Sequence, residues 1–117
     1  PDMGGMALLP QLVRSDVLRM LTYTATPVEA EQADRWGLVT EIANDPLARA
    51  QALAAEIAGK GPNAIHAAKR LIAYAESGAN AAEVLLRESE EQAALIGKPE
   101  QMEVVMANMQ KRPPVFK

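Results

Sequence analysis

The chain opens with PDMGGMALLPQLVR, residues 1–14, and the reading of this stretch decides how the rest is understood. An acid, Asp2, stands just ahead of the pair Gly4 and Gly5, and the apolar helical pattern of Leu8, Leu9, Leu12 and Val13 follows at once. A glycine inside a helix costs on the order of 1 kcal/mol relative to alanine, so two at a helix entrance need a reason. Glycine has no Cβ, so another molecule can approach the backbone closely, and the first turn of a helix leaves its amide N–H groups free. Pro10 separates two turns or kinks the segment.

Working outward, proline, glycine and asparagine divide the chain into short blocks of helical periodicity. A helix is predicted from Asp16 to Tyr23, with Val17, Met20 and Leu21 on one face. Thr26, Pro27 and Glu29 have the spacing of a capping box for the next helix, which Gly37 closes. GLVTEIA, residues 37–43, is the one candidate strand. Further helices are predicted over Pro46–Ala58, Pro62–Glu76 and Asn80–Ile96, the last with Glu83, Arg87 and Glu91 as an i,i+4 ladder on its wet side. A final helix begins near Pro99 and aligns Met102, Val105, Met106 and Met109, before Pro113 and Pro114 end helical structure.

The 117 residues are 49% hydrophobic and 23% charged, enough for one modest core, and aromatics make up only 3%. Leu, Ile, Val, Met and Ala must therefore fill the interior, which favours closely packed helices. The net charge of -3 argues against nucleic-acid binding, which ordinarily needs a basic face. No cysteine is present, which removes disulfides, thiolate metal sites and a cysteine nucleophile from consideration and fits a reducing, cytoplasmic setting. No apolar run approaches the ~18 residues of a membrane span. A core role is the ordinary reading of each methionine in the stripe. Together with Leu85 and Leu86, however, the stripe is more apolar than a lone bundle of this size needs, so part of this surface is expected to pack on material outside the chain.

The motifs, taken in order, resemble the crotonase (enoyl-CoA hydratase/isomerase) superfamily. Pro1, Gly4, Gly5, Leu9, Pro10, Leu12 and Val13 match its P-x-x-G-G-x-x-x-L-P-R-L-V-G string, with Gln11 and Arg14 departing from it. Ala30, Ala33, Gly37, Leu38 and Val39 match its A-x-E-A-x-x-x-G-L-V string. GPNAIHAAKRLI is similar to the family's S-P-x-A-x-x-x-x-K helix, with Gly61 replacing serine and Lys69 as the lysine. Lys111, Arg112, Pro114 and Phe116 match the closing K-R-x-P-x-F, with Asn108 where phenylalanine is usual.

This resemblance implies a mainly α chain, the helical C-terminal part of an α/β crotonase spiral. Residues 1–14 would end the core at the active-site helix entry. Residues 15–44 would supply helices and a short strand at the core edge, and 45–117 a helical region for trimerisation and for covering the site. The chain is accordingly expected to be a fragment or the ordered remainder of a longer polypeptide. The implied activity is hydration or double-bond isomerisation of an acyl-CoA thioester through an enolate-like intermediate, in a homotrimer or dimer of trimers. No metal or redox cofactor is implied, since amide donors and a carboxylate suffice.

Asp2 is the implied catalytic acid, shuttling a proton as in the isomerase-like subset, although capping the helix is an alternative role for an aspartate there. Gly4 and Gly5 would wall the thioester pocket, and Lys111 would reach the adenine or phosphates of CoA from a neighbouring subunit. A solvated basic tail is the alternative for Arg112 and Lys117, and Phe116 reads as a hydrophobic anchor. His66 has no acid or serine at a suggestive spacing and reads as a surface residue, Lys69 as either a CoA contact or a surface lysine, and Trp36 as corner packing. The acids Glu88, Glu90 and Glu91 lack histidine and the loop of a calcium site; Glu90 and Glu91 read as a solvated face and Glu88 as partly buried. The reading from a different class is a non-catalytic helical interaction module, or a protein of this fold without activity.

Overall fold

The computed structural model describes residues 3–116. Seven α-helices account for the regular structure: α1 (Gly5–Leu8), α2 (Ser15–Thr24), α3 (Ala30–Trp36), α4 (Pro46–Ala58), α5 (Pro62–Glu76), α6 (Ala81–Leu95) and α7 (Pro99–Met109). A 3-10 turn, Leu9–Gln11, follows α1 and contains Pro10, so the proline does separate two short turns. The chain divides into two compact units, Pro1–Arg49 and Ala50–Lys117.

In the first unit, α2 buries Val17, and Val13 is buried just ahead of it. Thr24 Oγ1 donates to the Met20 carbonyl at 2.8 Å and accepts from Thr26 Oγ1 at 2.9 Å. That ties Thr26 back to the end of α2, so the predicted capping box does not form. Residues 25–29 run without helix, and α3 starts at Ala30 with Glu29 as its N-cap. Gly37 closes α3 in the left-handed region, φ 77°. Its N–H donates to Asp34 O and the Leu38 N–H to Ala33 O, which together make a Schellman motif. Residues 37–43 then leave as turn, bend and coil, which corrects the predicted strand. A strand exists only through a partner's ladder, and none of the described residues is in a strand.

In the second unit, prolines open α5 and α7, where the missing N–H loses no intrahelical bond. Asn80 caps α6: its side chain accepts from the Glu83 N–H at 3.0 Å, and Glu83 Oε2 accepts from the Asn80 N–H at 3.3 Å. Glu83 is thus committed to a cap rather than to the predicted ladder. Glu91 is drawn to α5, where Arg70 donates to it in a fork, Nε at 2.7 Å and Nη2 at 2.6 Å. Arg87 lies 5.3 Å from the centre of the Tyr74 ring, with Glu90 at 3.9 Å. The planar fork across two helices is better matched to a carboxylate than a single-helix contact, which explains why the ladder gives way. Glu91 is half-buried and Glu88 exposed, the reverse of the reading from sequence.

Ala67 and Ala107 are the described buried residues of this unit. The methionine stripe is open instead: Met102 is 49% and Met109 75% exposed, and Leu86 62%. The core role ordinarily assigned to those methionines is therefore not what the chain shows; the apolar face is left uncovered.

Candidate functional site

The glycine entrance and the C-terminal turn carry the residues singled out in the sequence, one in each unit. Asp2, the candidate acid, lies outside the described residues. Gly4 is the N-cap of α1 with φ 87°, a left-handed conformation that L side chains rarely adopt, and its carbonyl accepts from the N–H groups of Ala7 at 3.0 Å and Leu8 at 3.2 Å. A Cβ at Gly4 would meet open space, so the conformation rather than crowding calls for glycine. At Gly5 a Cβ would stand 3.5 Å from Leu9 Cδ1, an ordinary contact. Beside this entrance Met6, Leu8 and Leu12 are exposed.

Close to the entrance in sequence, α2 and α3 enclose an apolar notch of about 450 Å3 lined by Met20, Leu21, Pro27, Val28 and Trp36. Trp36 therefore packs a corner, in line with its sequence reading.

In the second unit α5, α6 and α7 frame an open groove of about 780 Å3 whose floor includes Ala67, Leu71, Leu95 and Val104. Part of its polar rim is already engaged. Glu100 takes two hydrogen bonds from Asn63, and Glu91 holds Arg70. Sequence reasoning missed this groove, because it is formed by helices whose facing residues lie tens of positions apart.

Lys111 follows α7 with φ 52°. Its N–H donates to Asn108 O at 3.2 Å, and the Arg112 N–H donates to Ala107 O at 3.0 Å, so Lys111 holds the left-handed position of a Schellman motif. Arg112 is not the solvated tail cation of the alternative reading. It grips Glu103 through Nη1 at 2.6 Å and Nη2 at 3.0 Å, while the Val115 N–H donates to Glu103 Oε1 at 2.8 Å. The Arg112 hydrogen bonds, then the Val115 amide, hold the Glu103 carboxyl down at about 2, well below the usual carboxylate range. Lys117 lies outside the described residues. Phe116 is half-buried, and His66 and Lys69 are exposed on α5.

Against known families, the enoyl-CoA hydratase/isomerase family matches residues 1–117. The chain belongs to the enoyl-CoA hydratase/isomerase family. Among solved structures it is similar to a probable enoyl-CoA hydratase/isomerase from Mycobacterium abscessus, at 31% identity and TM-score 0.92, over 100% of this chain and 47% of that one. It is also similar to an enoyl-CoA hydratase from Bacillus anthracis, at 28% identity and TM-score 0.90, over 100% of this chain and 46% of that one. Carnitinyl-CoA dehydratase of Citrobacter koseri is 32% identical over 73 residues, 61% of this chain and 28% of that protein. The chain thus spans less than half the length of the relatives it matches. Its helices are the helical C-terminal part of the crotonase fold.

Among the described residues no helix is long and apolar enough to cross a membrane.

Proposed function

We propose that this chain serves as the C-terminal part of a cytoplasmic enzyme that hydrates an acyl-CoA thioester or moves its double bond. The match of the enoyl-CoA hydratase/isomerase family along residues 1–117 carries this reading. Both reactions place negative charge on the thioester oxygen in an enolate-like state, which preorganised N–H donors stabilise. In the family those donors lie in segments upstream of the stretch matched here, so the 117 residues alone are inactive in this proposal.

Within it, Gly4 and Gly5 wall the thioester pocket, and Asp2 takes a proton from one carbon and returns it to another, which shifts the double bond without net change in atoms. Lys111 meets the CoA phosphates as a point charge, reaching them from a neighbouring subunit of a homotrimer or dimer of trimers. Neither a metal nor a redox cofactor takes part. The uncovered faces of α6 and α7, with Leu86 and Met109 open to solvent, are consistent with burial in that assembly.

The deciding experiment is Asp2→Asn in the complete enzyme, with an enoyl-CoA or dienoyl-CoA as substrate. The isomerisation rate is expected to fall by about a hundredfold, the lower range for loss of a general acid–base. An unchanged rate would remove Asp2 from the chemistry.

A further inference from the structure

Lys111 stands where helix-ending motifs of this kind ordinarily place glycine, and the same chain provides the comparison. The Schellman motif ending α3 has Gly37 at the left-handed position, φ 77°; the one ending α7 has Lys111 there, φ 52°. A side chain in that conformation is strained; Ala25 after α2 adopts it too, at φ 50°, but at Lys111 the surroundings also hold it in place. The surroundings here are unusually complete. Residues on both sides of Lys111 are tied down: Arg112 donates from Nε to Gln110 Oε1 at 2.7 Å and from Nη1 to Pro113 O at 3.0 Å. Both terminal nitrogens of its guanidinium also reach Glu103, nine residues back on α7. The Val115 amide closes on the same carboxylate at 2.8 Å. Lys111 is exposed in the middle of this staple, and its ammonium makes no ion pair with the described residues.

We infer that Glu103 and Arg112 are positioning residues: their forked ion pair, completed by the Val115 amide, holds the α7 terminus so that Lys111 is presented from a fixed left-handed turn to the nucleotide end of CoA. This rests on the reading of Lys111 given above. The carboxylate is the shared anchor, because one group restrains the chain on the far side of Lys111 at two points, Arg112 and Val115. Removing the charge leaves the turn's backbone bonds but frees the segment that follows, so Lys111 samples other directions and loses its phosphate contact for part of the time.

The test compares Glu103→Gln, Lys111→Ala and the double variant in the complete enzyme. KM is measured for an acyl-CoA and for the matching acyl-pantetheine, which lacks the nucleotide. Glutamine keeps the size of the side chain and can still accept from Val115, so it removes chiefly the fork to Arg112. Lys111→Ala is expected to raise KM for acyl-CoA about tenfold, as for loss of one hydrogen bond to a charged group. Glu103→Gln should raise it by about threefold to fivefold, with acyl-pantetheine unaffected in both variants. The double variant should be no worse than Lys111→Ala, because both changes act on one contact. Arg112→Lys, which keeps the charge and loses the fork, should reproduce Glu103→Gln.

If Lys111→Ala raises KM for acyl-CoA while Glu103→Gln does not, the positioning role is overturned and the Lys111 reading stands. If Lys111→Ala leaves KM unchanged, that reading falls and the inference with it. Equal losses for acyl-CoA and acyl-pantetheine in Glu103→Gln would reduce the staple to general structural support and overturn the inference as well.

Discussion

Glu100, at the start of α7, caps the start of α5 through Asn63: the Asn63 N–H donates to Oε2 at 3.0 Å and its side-chain amide to Oε1 at 2.8 Å. The N-cap position of α5 is Gly61, which has no side chain to accept these bonds, so Glu100, 37 positions beyond Asn63, does so. Glu100→Ala is expected to lower stability by about 1 kcal/mol, the ordinary effect of losing an N-cap acceptor, measured by urea unfolding. Glu100→Gln should retain part of this.

Asn80 provides the local version of the same device. Its capping box with Glu83 satisfies one free N–H at the start of α6 and the N–H of the cap itself. Asn80→Ala should cost about 1 kcal/mol by the same measurement, and the loss should add to that of Glu100→Ala if the two caps act independently.

The two Schellman motifs predict opposite responses to one kind of change. Gly37→Ala should destabilise by about 1 kcal/mol, because the left-handed turn strains any Cβ; crowding contributes little, since the nearest atom, Leu12 O, would be 3.6 Å away. Lys111→Gly should stabilise by about 0.5 kcal/mol, the relief of strain exceeding the entropy glycine adds to the unfolded chain. Thermal unfolding of the pair checks both signs, and a Lys111→Gly protein that is more stable yet weaker toward acyl-CoA would show that the lysine is retained for function.

Glu103 makes the tail sensitive to acid. Its folded-state pKa of about 2 lies below the ordinary value of 4.5, held down by Arg112 and then by the Val115 amide. A depressed carboxylate contributes stability above its unfolded pKa and loses that contribution as pH falls through the folded value. The contribution should therefore be complete above about pH 4.5 and disappear towards pH 2. Carboxyl-carbon NMR of Glu103 should show a midpoint near 2, returning toward 4.5 in Arg112→Gln.

The helices were largely legible because the signals that bound them are local. Proline opens and glycine follows α4, and the predicted Pro46–Ala58 and Pro62–Glu76 are the spans observed. The same local logic failed at Thr26, where a residue with capping chemistry was captured by Thr24 on the preceding helix. It failed again over residues 37–43, where β-branched composition has no ladder to join. The contacts that organise the second unit left no trace in sequence. Asn63–Glu100 and Arg70–Glu91 are 37 and 21 positions apart, and nothing local marks either pair. At the candidate site the glycine entrance and the closing K-R-x-P-x-F were readable as motifs. The left-handed backbone of Lys111 was not, because glycine is the residue that normally announces it.

The sparse interior has a thermodynamic consequence. With Val13, Val17, Ala67 and Ala107 as the described core and long apolar faces left in water, unfolding this chain by itself exposes little new hydrocarbon. Heat-capacity change and denaturant sensitivity scale with that newly wetted area, so both will be small and the melting transition broad. Any surface that settles over Met102, Met106 and Leu86 will sharpen the transition, so the steepness of melting gauges assembly without a catalytic assay.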